Sequence, residues 1–143
     1  LAILVALIAT SGCSRKARWL HGRWVFDSEY TRQELAEIQE KAPPREGLVE
    51  GLQAVAESLV VPRLIESLEG SELRVTNEQL VMTDKEGNGK ALTYEVIAVP
   101  DSDTITLKQS DGEVRTSHRD GGRFWTTSTG DVNVRAYFVR AKK

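Results

Sequence analysis

The chain of 143 residues is poor in the residues that usually announce a covalent or metal-based device: it has one cysteine and two histidines. A single cysteine excludes an intrachain disulfide, so no covalent staple holds the fold. His21 and His118 alone are too few for a histidine-based zinc cluster. Charge of either sign is also close to balance, 19 Lys and Arg against 21 Asp and Glu. That gives no basic excess of the kind nucleic acid requires, and we expect no nucleic-acid partner. No apolar run approaches the roughly 20 residues that span a bilayer. What remains is ordinary globular material, 40% hydrophobic and 28% charged, enough for one core but not for two.

The longest apolar run, residues 1–9, is followed by Thr10-Ser11-Gly12-Cys13. This resembles the end of a bacterial lipoprotein signal peptide, with small residues before a cysteine. The resemblance implies that residues 1–12 are removed, that Cys13 is lipidated, and that residues 13–20 form a tether to a domain at 21–143. Several acyl chains, at about 0.8 kcal/mol per buried CH₂, would hold such a domain on its membrane durably. Ser14 after the cysteine resembles an outer-membrane address facing the periplasm.

The first structured element is expected at Gly22-Arg23-Trp24-Val25-Phe26-Asp27, and helices follow between residues 30 and 69. Thr31 and Glu34 have capping-box spacing. Leu48, Leu52, Val55 and Leu59 recur at three- and four-residue spacing, and Leu64, Ile65 and Leu68 continue the stripe beyond Pro62, which should kink or break the helix. Gly70 is placed to stop it. The segment is acidic, which a solvated helical face explains. From Glu72 the apolar period changes to two. Short β-branched runs at 72–76, 79–83, 91–99, 104–109, 114–119, 123–127 and 132–139 alternate with Gly-, Asn- and Asp-rich connectors. With the Trp24 strand these make eight, a number that closes into an antiparallel up-and-down barrel.

Gly22-Arg23-Trp24 opening a meander that ends in Tyr137-Phe138-Val139-Arg140 resembles the lipocalin-like, or calycin, pattern. It implies that Gly22, Trp24 and Arg140 close one barrel end, with the arginine packed over the tryptophan. The expected fold is therefore mainly β, a lipocalin-like eight-stranded barrel with helices inserted between strands one and two.

Chemistry-bearing clusters are few. Asp84, Glu86, Asn88 and Glu95 have the spacing of a calcium-binding loop, but their flanks have strand rather than helix character, so a hairpin turn is the better reading. Ser117, His118 and Asp120 are the only local triad types. Neighbouring strand residues point to opposite faces, so they do not converge and no enzyme is expected. No cofactor is implied. His118 shares a face with Val114 and Thr116 and reads as a partly buried, hydrogen-bonded side chain.

Two functions follow. In the first, the lipid-anchored barrel binds a small apolar or lipid-like ligand, with Val134 and Phe138 on the inner face, Thr116 and Thr126 adding polar contacts, and Leu52, Val55 and Leu59 on a lid hinged at Pro62. In the alternative the barrel is filled by side chains and serves as a non-catalytic envelope module that binds another envelope protein.

Overall fold

The structure, a computed structural model, describes residues 17–41, 47–127 and 134–142, with the side chains at 49–51 and 53–58 excepted. Eight strands form one closed antiparallel barrel in sequence order. They are β1 (Gly22–Phe26), β2 (Glu72–Val75), β3 (Gln79–Thr83), β4 (Gly89–Asp101), β5 (Thr104–Gln109), β6 (Val114–Asp120), β7 (Arg123–Thr127) and β8 (Arg135–Arg140). Closure is made by β1 against β8, with Trp24 opposite Arg140 and Phe26 opposite Phe138. The expected architecture is thus present, and the strand bounds differ from the sequence reading by three residues at most. Helices α1 (Ser28–Lys41) and α2 (Leu48–Leu68) are inserted between β1 and β2.

Three local details differ from expectation. Helix α1 starts before Thr31, because Asp27 caps it: the Asp27 carboxylate accepts the Tyr30 N–H at 3.1 Å. The second carboxylate oxygen accepts from Arg123 at 3.2 Å, tying the helix start to β7. Thr31 is consequently inside the helix, buried, and its hydroxyl accepts the Tyr137 N–H at 3.1 Å. Strand β1 ends at Phe26 while β8 continues beside it, so this hydroxyl completes the sheet edge where a strand partner has run out.

Helix α2 is continuous through Pro62. The proline has no N–H to offer the carbonyl at position 58, a loss of about 3 kcal/mol or more in a helix interior. On either side of it, Val61 and Ile65 are buried, and Leu64 and Leu68 partly so. At about 1.5–3 kcal/mol per fully buried aliphatic side chain, that anchorage offsets the missing bond. Gly70 ends the helix as expected, with φ of +78° and a position where a Cβ would lie 2.8 Å from the Lys85 side chain.

Residues 17–20 are the third difference. They are part of the domain and not of a tether: Arg18–Leu20 form a 3₁₀ turn, and Ala17 and Leu20 are buried in the core. The turn lies across the barrel end where β1 begins and β8 finishes. Among the described residues no helix is long and apolar enough to cross a membrane.

Candidate functional site

Trp24, 2% exposed, is the centre of the closed end. Its indole N–H donates to the Leu20 carbonyl at 2.8 Å, which fastens the 3₁₀ turn. Its edge meets Phe124 with ring centroids 4.7 Å apart, and Phe124 stacks on Phe138 at 5.1 Å. The Arg140 guanidinium lies 3.9 Å over the indole ring and donates to the carbonyls of Trp19 and His21. A Cβ on Gly22 would stand 2.3 Å from Arg140 Nη1, and Gly22 has φ of +124°. The glycine is thus required twice, by its backbone and by the arginine that lies against it. The three residues singled out for barrel closure come together as the resemblance implied.

Above this floor the lumen holds a cavity of about 400 Å³. Its inward lining includes Val134, Ala136 and Phe138 from β8 and its approach, and Leu64, Ile65 and Leu68 from α2. The half of α2 beyond Pro62 therefore covers the open end. Leu52 and Leu59, before it, are 63% and 67% exposed. They are not cavity residues, because in a helix unbroken at Pro62, with 3.6 residues per turn, they lie on the side roughly opposite Val61, Ile65 and Leu68. The Val55 side chain, like Cys13 and Val132, lies outside the described residues.

The wall is two-sided. Strands β2 and β3 contribute Leu73, Val75, Leu80 and Met82, all apolar. Opposite them in the barrel order, β5–β7 contribute the apolar Leu107 and Phe124 together with Gln109, Arg115, Ser117 and Thr126. Gln109 and Ser117 are 9% and 5% exposed, and the buried Thr126 hydroxyl has no hydrogen-bond partner among the described residues. Arg115 lines the lumen with its guanidinium already engaged, 3.0 Å from the Glu113 carboxylate and 3.5 Å from the Thr127 carbonyl. Sequence reading missed this polar stripe, although the alternation Ile105, Leu107, Gln109 carried the signal.

Thr126 is on the inner face as expected, whereas Thr116 is not. Thr116 is on the outer wall, its hydroxyl 3.1 Å from that of Thr106. His118 shares that outer face and is covered by stacking on Trp125, with centroids 3.9 Å apart, instead of by a hydrogen bond. Ser117 points inward and His118 outward, so the triad residue types are separated by the sheet. Asp84, Glu86 and Asn88 form the β3–β4 hairpin, where the Asp84 carboxylate accepts the amide N–H groups of Glu86 and Asn88, each at 2.9 Å. The Asn88 amide is the main reason its carboxyl titrates below the usual range. Glu95 is further along β4, opposite Lys108. Among the described residues no three His, Cys, Asp or Glu side chains gather where they could hold a metal ion.

Both histidines titrate below their ordinary value. Burial is the main cause, with Arg18 and Arg140 adding to it at His21 and Arg135 at His118. A histidine whose folded pKa is depressed makes the folded state bind fewer protons than the unfolded chain, so stability falls as pH drops below the unfolded value of about 6.5. Thermal melts are expected to show a steady midpoint above neutrality and a decline toward about pH 5.5, with a shallower decline in His21→Gln/His118→Gln. An unchanged slope in that variant would assign the decline to other groups.

In comparisons with known proteins, no family model, no curated protein and no solved structure matches the chain.

Proposed function

We propose that the protein is a lipid-anchored envelope protein whose barrel binds a small apolar or lipid-like molecule in its lumen. The observation that carries this reading is the cavity, at about 400 Å³. It falls within the range of about 300–1,000 Å³ common to small-molecule sites. Its aromatic floor and aliphatic wall favour apolar contact, and the α2 segment at its open end shields an occupant from water. The same space weighs against the alternative of a barrel filled by its own side chains. Acylation of Cys13, in the motif Thr10-Ser11-Gly12-Cys13, would keep the domain at the membrane from which such a ligand comes.

The test uses the full chain with Cys13→Ser, so that no acyl group competes, and a neutral naphthylamine probe that fluoresces in apolar surroundings. Saturable one-to-one binding is expected. Ala136→Phe, which fills the lumen from β8, should weaken it about tenfold or more, equivalent to about 1.4 kcal/mol. Binding that is absent, or indifferent to Ala136→Phe, would remove the ligand reading and favour the envelope interaction module. The anchor is checked separately: the mass of the mature wild-type N-terminus should show an acylated Cys13, and Cys13→Ala should accumulate as unprocessed precursor.

A further inference from the structure

The polar stripe narrows the class of ligand. We infer that the lumen selects a neutral amphiphile whose head group both donates and accepts hydrogen bonds, of the primary-amide or monoacylglycerol kind, and discriminates against the matching carboxylate. The inference rests on the cavity-binding reading above and assigns the head-group site to Gln109.

Gln109 is the last residue of β5, where the β5–β6 hairpin borders the open end. Its backbone N–H is used in the hairpin, donating to the Glu113 carbonyl at 2.8 Å. The residue is about nine-tenths buried, and its side chain, a primary amide, lines the cavity. Such an amide offers two donors and an acceptor. A hydrocarbon lying over it would strip its water and return nothing, whereas a neutral amide or glycerol head satisfies it in both directions. Deeper in the same wall, Ser117 and the unpartnered Thr126 hydroxyl continue the polar side of the lumen. The chain of an amphiphile is thereby left to the apolar β2–β3 wall.

The partly buried Arg115 does not make this an anion site. Arg115 is paired with Glu113, and the lining carries Lys90 and Arg115 against Asp111 and Glu113. With two cations and two carboxylates the lining has no net positive charge to offset the water that a carboxylate head would lose on entering the lumen. Sites built to hydrogen-bond one group reject analogues that cannot return the bond, often by large factors.

The experiment displaces the naphthylamine probe from the Cys13→Ser chain at neutral pH with decanamide, glycerol monodecanoate and decanoate, which share one chain length. Both neutral compounds should displace the probe at concentrations about tenfold or more below decanoate. In Gln109→Leu that advantage should shrink to about twofold or less. The probe's affinity is measured for each variant and the displacement constants are corrected for it, because Gln109 lines the cavity that the probe enters. Decanoate displacing as well as or better than the neutral compounds overturns the inference and returns the role to Arg115. An advantage that survives Gln109→Leu overturns the assignment of Gln109. Either result leaves the lumen reading standing. A probe that never binds removes both.

Discussion

Trp24→Ala is expected to lower the unfolding free energy by about 3–5 kcal/mol, the cost of deleting a large buried aromatic side chain. Against a total of about 5–15 kcal/mol for a natural domain, this is among the most damaging single changes available. The loss has three sources. The indole leaves a cavity beside Phe124, the Leu20 carbonyl loses its donor, and Arg140 loses the ring beneath it. Trp24→Phe separates them, since it keeps an aromatic face for Arg140 and Phe124 but removes the N–H. It should recover much of the loss, leaving a deficit that includes about 0.5–1.5 kcal/mol for the hydrogen bond. Urea melts of the two variants measure both quantities. A change below about 1 kcal/mol for Trp24→Ala would mean that the closed end is held by something other than this stack.

The second large effect is at the opposite end. Ile65 is 2% exposed on the barrel side of α2, beyond Pro62. Ile65→Asp would bury a carboxylate among Leu64, Leu68 and the lumen wall. An uncompensated buried charge costs about 3–5 kcal/mol, enough to unseat the helix or unfold the domain. The deficit should shrink toward about pH 4, because burial raises the pKa of the new carboxyl and it becomes neutral there. Leu52→Asp and Leu59→Asp carry the same chemical change onto exposed positions and should stay within about 0.5 kcal/mol of wild type. Equal damage from all three would mean that the first half of α2 is packed in solution. Melts at two pH values, with far-UV circular dichroism to follow the helix, distinguish these outcomes.

That contrast between Ile65 and Leu52 marks a limit of reading the chain alone. The two residues share one apolar face only if the helix breaks at Pro62; in the unbroken α2, with 3.6 residues per turn, their 13-residue separation puts them on roughly opposite faces. The spacing within each half specifies a face, but whether the two faces coincide depends on whether the helix continues through the proline. Pro62 illustrates the same point. A proline in a helical pattern argues for a break, yet burial of Val61 and Ile65 on the barrel keeps α2 whole. The Asp27 cap is legible by residue type and position, and the capping-box spacing of Thr31 and Glu34 offers a competing start four residues later.

The strands and their order were decided by the sequence. Alternation with a period of two, and connectors rich in residues that turn tightly, act over a few neighbouring positions and leave little for distant contacts to alter. Gly22, Trp24 and Arg140 were legible only through the resemblance that implied their meeting, and closure of β1 on β8 brings them together. Which strand face is concave was not decided there. Alternation divides β6 into Thr116 and His118 on one side and Arg115 and Ser117 on the other, and both sides carry polar residues. Only closing the sheet turns Arg115 and Ser117 inward and gathers them with Gln109 and Thr126 into one wall of the lumen. The pattern along a strand fixes which residues share a side, while the curvature that selects the inner side is a property of all eight strands together.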